Sequence, residues 1–288
     1  MGYDNQYIRF DWAAKRMLRD KANFEVLEGL IKVLINEDVK IVEILESESN
    51  QESDDLKYNR VDIKARNSRG DLIIVEVQQA RQYFYLKRML YGVGRALTED
   101  IHLGESYEKI KKVYSINIVY FDLGKGTDYV YHGQTVFRGI HSNDSLELNE
   151  KEQKGLCLLR PEDIFPEYFI IRVNEFDKVA KTPLDEWINY LKTGEIADDT
   201  TAPGLEAAKE KLQMLKMSPK ERKAYYAHMD TIMTQNDTIA TYRDEGYRDG
   251  ERNTTIRIVR QMKDLGLSTE TISKATGLTP EQIGEIIK

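Results

Sequence analysis

One cysteine, Cys157, stands among 288 residues, and a single thiol excludes an intramolecular disulfide. Histidine is also scarce. His102, His132, His141 and His228 show no spacing that pairs zinc ligands, so zinc chemistry is not expected. Missing too is any run of about 20 apolar residues, the length a membrane-spanning helix requires. The opening MGYDNQYIRFDWAAKRM has no basic start followed by an apolar stretch of signal-peptide length. These absences predict a cytoplasmic protein with no membrane partner. Positive charge is in deficit, 42 Lys and Arg against 49 Asp and Glu for a net −7, which argues against indiscriminate binding to polyanions. A local basic cluster could still serve DNA.

What is present is enough for one substantial core and a smaller second unit, since 41% of the residues are hydrophobic. From Asp11 to Ile35 apolar residues recur at helical spacing, with a break at Asp20 to Asn23. VKIVEIL (39–45) reads as a strand, and the acidic ESESNQESDDLK (46–57) as a loop. RVDIKAR and LIIVEV, joined by NSRGD with Gly70 free to take a positive φ, form a predicted hairpin. Between Gln79 and Ile101 the period changes, and Tyr83, Leu86, Leu90, Val93 and Leu97 predict one face of a long helix. VYSINIVYF (113–121), DYVYHG with QTVFRGI, and YFIIRV (168–173) are further strands, and PLDEWINYLKTG a helix stopped by Gly194. The fold class is therefore α/β, a mixed central sheet flanked by helices with a helical C-terminal extension. EIADDTTAPG has a linker's chemistry and places the divisions at 1–194, 195–204 and 205–288. Ser218-Pro219-Lys220-Glu221 is a capping box that opens a helix in the tail.

The hairpin VDIKARNSRGDLIIVEVQQ raises a chemical question, because two core-like strands each carry an acid, Asp62 and Glu76. A buried carboxylate is costly unless something positive compensates it. Residues two apart share a strand face, so Asp62 points with Lys64, and Glu76 with Gln78. Two readings stay open at this level: a hairpin with one solvated face, or two carboxylates converging with the carbonyl of Val77 between Glu76 and Gln78. Hard oxygen donors of the second kind suit Mg²⁺, which keeps several waters and completes its shell with a phosphate oxygen.

The pattern D-x(13)-E-x-Q, on a hairpin preceded by helix and strand and followed by helix and strand, resembles the PD-(D/E)XK nuclease core, a restriction-endonuclease-like fold. More narrowly, the order FDWAAKRML, VDIKAR, IIVEVQ, a Tyr/Arg-rich helix and VYSINIVYF resembles the Rpn family of recombination-promoting nucleases and transposases, over roughly residues 5 to 195. That resemblance implies an Mg²⁺-dependent DNA endonuclease. It matches Asp62 and Glu76 to the metal-binding acids, Val77 to the carbonyl donor, and Gln78 to the position usually held by a catalytic Lys. Gln cannot carry that charge, but it can orient a water by hydrogen bonds. Lys64, on Asp62's face, is a candidate replacement cation. Val61 stands where the motif has Pro.

Arg81, Arg88 and Arg95, seven apart with Lys87 beside them, predict a stripe able to meet DNA phosphates without reading sequence; an ordinary solvated helix face is the plain alternative. Tyr83, Phe84, Tyr85 and Tyr91 are stacking candidates, although residues at helical spacing more often belong to a core. LSTETISKATGLTPEQIGEIIK has helix-turn-helix punctuation around Thr276-Gly277-Leu278. Its second helix opens with Glu281 and Glu285 and carries only Lys288, which favours helical packing or homo-oligomer formation over base reading. A catalytically inactive DNA-binding or assembly module is the alternative function.

Overall fold

Alternation and β-branching from Val39 to Val173 produce six strands in one sheet of order β1-β2-β3-β4-β6-β5. The computed structural model describes residues 7–16, 18, 20–45, 62–101, 105–156, 160–213 and 217–287. The predicted loop at 46–57, with Val61, His102, Cys157 and Lys288, lies outside the described residues. β1 (Ile41–Leu45), β2 (Ile63–Asn67) and β3 (Leu72–Gln78) are antiparallel neighbours, and Gly70 makes the β2–β3 turn at φ 88°. β3, β4 (Val113–Val119) and β6 (Glu167–Arg172) run parallel, while β5 (Val130–Gly133) pairs antiparallel with β6. Predicted strand QTVFRGI forms only an isolated bridge, Arg138 with Ser145, because the chain reverses at once through Asn143 at φ 60°.

β3 and β4 are buried on both faces, which is why they read as nearly unbroken apolar runs. α3 (Tyr85–Asp100) connects them and covers the face bearing Leu72, Ile74 and Val113 through Val93 and Ala96. On the other face Tyr120 donates to Leu191 O of α5 (Pro183–Thr193) at 2.8 Å. Phe10 of α1 (Phe10–Arg16) meets Trp187 of α5 edge-on at 6.0 Å. α2 (Phe24–Ile35) anchors β1 by accepting Ile41 N–H on Glu28 at 2.8 Å.

α3 departs from expectation in two ways. It starts at Tyr85, so Tyr83 and Arg81 lie outside it, and its buried row is Tyr85, Met89, Val93 and Ala96, leaving Leu86 and Leu90 exposed. Both rows have helical spacing. The sheet selects the one whose first member, Tyr85, can bury its ring and still bond its hydroxyl to Asn117 Oδ1 at 3.3 Å.

A short helix, α4 (Glu150–Leu156), follows β5 in the chain. Residues 195–204 pack within the first unit: Trp187 Nε1 donates to Pro203 O at 2.9 Å, and Gly29 sits so close to Pro203 that a side chain there would overlap its carbonyl. α6 (Leu205–Lys211) follows, with Ile8 N–H donating to Leu212 O at 2.7 Å. The chain divides into compact units at Tyr225 and Tyr226, inside α7 (Pro219–Asp264). The expected cap is present, Ser218 N–H reaching Glu221 Oε2 at 2.9 Å. In the second unit Val259, Ile272 and Ile283 form a small core between the end of α7, α8 (Thr269–Thr276) and α9 (Pro280–Ile287). Gly277 ends α8 at φ 72°, and Thr279 and Gln282 close their box with bonds of 2.9 and 3.3 Å.

Candidate active site

Register brings the two hairpin acids together. Ile63 pairs with Val75, so one step further Asp62 stands opposite Glu76, and paired residues share a face. β4 extends the row, since Glu76 pairs with Asn117. Asp62, Glu76 and Asn117 thus cross three adjacent chain segments on the face that α3 covers, beside the carboxyl end of β3, where open α/β sheets place ligands. Asp62 Oδ2 accepts the Val77 N–H at 2.6 Å. An antiparallel residue directs its N–H and C=O to the same side, so the Val77 carbonyl also points toward β2.

Glu76 is the buried member, its side chain 6% exposed, and Arg88 of α3 meets its Oε1 at 2.5 Å. Arg88 is held in turn by Gln82 Oε1 at 3.1 Å. Tyr85 reports both acids: burial first, then Glu76 and Asp62, push its phenol far above the ordinary value, with Arg88 opposing. Asn117 orders the row from below, its Nδ2 donating to Ser115 O at 3.1 Å, Ser115 Oγ at 3.0 Å and Phe169 O at 3.3 Å. Neither Asn117 nor the Arg88 contact was anticipated. The readable signal was a pair of polar residues, Ser115 and Asn117, two apart in an otherwise apolar strand.

Gln78 shares the face of Glu76, but its Nε2 donates to Ala80 O at 3.3 Å. Next to it, Gln79 reaches a third acid, donating to Asp11 Oδ2 at 3.0 Å; Asp11 is buried in α1 and bonded to Arg9 Nε at 3.2 Å. Lys64 lies on Asp62's face as expected, yet its ammonium binds Glu99 Oε2 at 2.9 Å, toward the far end of α3. The three arginines do not form a common stripe. Arg81 precedes the helix with its guanidinium over Tyr83, Arg88 holds Glu76, and Arg95 holds Glu99 at 2.5 Å.

The donor set fits a hard divalent cation. Like charges directly opposite across strands are destabilising, and two carboxylates with a carbonyl turned to the same side supply the oxygen ligands such an ion prefers. Among the described residues no group of three or more His, Cys, Asp or Glu gathers for metal binding. Asp62, Glu76 and Val77 would therefore leave most of the shell to water and phosphate, as Mg²⁺ commonly requires.

Residues 8–152, half of the chain, match the family model described as PD-(D/E)XK nuclease family transposase. No curated protein and no solved structure matches the chain.

Proposed function

The chain belongs to the PD-(D/E)XK nuclease family transposases, and from that membership we propose that it is a divalent-cation-dependent DNA endonuclease, with Mg²⁺ the ion that suits its oxygen donors. The observation that carries the reading is the place of Asp62, one residue beyond the Ile63–Val75 pair and so opposite Glu76, with its carboxylate on the Val77 N–H beside the carboxyl end of β3. Asp62, Glu76 and the Val77 carbonyl would hold the cation. When bound, such an ion neutralises charge developing on a phosphodiester and acidifies a water molecule. Arg88 places its guanidinium against the buried Glu76 carboxylate and compensates its charge. Gln78, released from Ala80, can orient the attacking water with its amide. Arg81, and the donors that Arg88 and Arg95 keep beyond their acids, would contact phosphates.

A second reading, DNA binding without cleavage, is favoured by the engaged amide of Gln78 and the bond of Lys64 to Glu99. Plasmid nicking with and without Mg²⁺ separates the two. An endonuclease converts supercoiled DNA to nicked or linear forms only with the ion, whereas a binder shifts DNA and leaves it intact.

A further inference from the structure

From Val77 to Thr98 the sequence has no acid, yet carries Arg81, Lys87, Arg88 and Arg95, in a chain whose net charge is −7. The outer surface of this stretch is unusual for a second reason. Tyr83 is 92% exposed and Phe84 73%, and Leu86, Leu90 and Tyr91 are exposed beside them, while Tyr85, Met89, Val93 and Ala96 turn inward. Lys87 and Tyr91 are four apart on one row of α3, and Leu86 and Leu90 form the next. Gly94 continues the Leu86 row as bare backbone, with open space where a side chain would stand. Two cations lie among the rings, Arg81 over Tyr83 at 5.7 Å and Lys87 over Phe84 at 5.5 Å. The ridge adjoins the candidate site through α3 itself, because Arg88, one turn after Phe84, meets Glu76 at 2.5 Å.

We infer that this ridge binds an unpaired DNA strand and delivers it to the acids, so the preferred substrate is single-stranded or carries an unpaired segment. The inference rests on the endonuclease reading for the identity of the polymer as DNA. A duplex offers phosphates to Arg81 and Lys87 but conceals its base faces, leaving the aromatic surface in water. An unpaired strand satisfies both kinds of group at once, phosphates on the cations and bases on Tyr83, Phe84 and Tyr91. The exposed leucines and the open backbone at Gly94 leave room for a strand lying along the helix.

The test is fluorescence anisotropy in EDTA, so that no cleavage occurs, with a labelled single-stranded oligonucleotide and the blunt duplex of the same sequence. The full-length wild type is compared with the Tyr83→Ala/Phe84→Ala double variant and with Tyr91→Ala. These side chains are exposed, and circular dichroism verifies that the fold is kept. The wild type should prefer the single strand, the double variant should lose about tenfold or more of that affinity, and duplex binding should be unchanged. Equal loss on both DNAs, or no loss on the single strand, overturns the proposal. A fall in mass by light scattering in the variant also overturns it, because the ridge would then be covered by a second copy. A parallel cleavage assay separates the failures: single-strand cleavage untouched by the ridge variants rejects the ridge and keeps the endonuclease, whereas strand-selective binding with no cleavage of either DNA does the reverse.

Discussion

The two ends of α3 are both tied to the sheet by ion pairs, but with opposite polarity. At the Asp100 end the sheet supplies the bases: Lys64 meets Glu99 at 2.9 Å, and Arg66 meets Asp100 at 2.5 Å and Glu43 at 2.8 Å. At the Tyr85 end the sheet supplies the acids, and Arg88 reaches back from the helix to Glu76. The first arrangement places opposite charges face to face and is a sufficient account of itself. The second sets two carboxylates opposite each other across strands, which folding alone does not favour. Local conflict of that kind, kept inside an otherwise consistent sheet, marks a site selected for something other than stability.

Substitutions that break this contrast should differ in size and kind. The largest effect is on chemistry: Asp62→Ala and Glu76→Ala should each abolish Mg²⁺-dependent plasmid nicking while circular dichroism stays native, and retained nicking in either refutes the assignment. Arg88→Ala comes next, because it withdraws the guanidinium from a buried carboxylate. We expect a loss of about 2–3 kcal/mol in urea unfolding, below the figure for a wholly buried pair since the Arg88 side chain is 21% exposed. Added Mg²⁺ should restore more of the melting temperature in that variant than it adds to the wild type. Lys64→Ala at the other end should cost about 1 kcal/mol, since Glu99 keeps Arg95 and partial solvation, and should leave nicking intact. Loss of cleavage there would restore Lys64 as the replacement for the missing motif lysine.

The smallest effect is a pH dependence. Burial opposes ionisation of Glu99, but hydrogen bonds from Lys64 and Arg95 hold its carboxyl below the ordinary range. A depressed folded value contributes stability that is present at neutral pH and lost as pH falls through it. Glu99→Gln should therefore lower stability near neutrality and flatten its decline in acid, which urea titrations at several pH values would reveal. An unchanged acid slope would contradict the pairing.

The parts of this arrangement that local rules control were legible in the letters. Gly70 marked the turn, and a turn of that length fixes the register that sets Asp62 against Glu76. PLDEWINYLKTG marked α5 and Gly194 ended it; Ser218 and Glu221 capped α7; Gly277 separated α8 from α9. What failed was decided at a distance. Two apolar rows on α3 had helical spacing, and nothing within the helix says which one the sheet will take. Arg88 and Arg95 looked like one stripe because spacing cannot reveal that each already faces an acid, Glu76 in one case and Glu99 in the other. QTVFRGI had a strand's composition, but the chain reverses there and leaves it a single bridge, Arg138 with Ser145. Residues 195–204 had a linker's composition, but Pro203 and Gly204 are equally suited to a close turn against Gly29, and that is where they pack.

The most direct measurement is an anomalous difference map from crystals grown with Mn²⁺. The account predicts a peak coordinated by the carboxylates of Asp62 and Glu76 and the Val77 carbonyl, absent in Asp62→Asn. Manganese bound elsewhere, or Arg88 still seated on Glu76 with no ion present at saturating Mn²⁺, would contradict it.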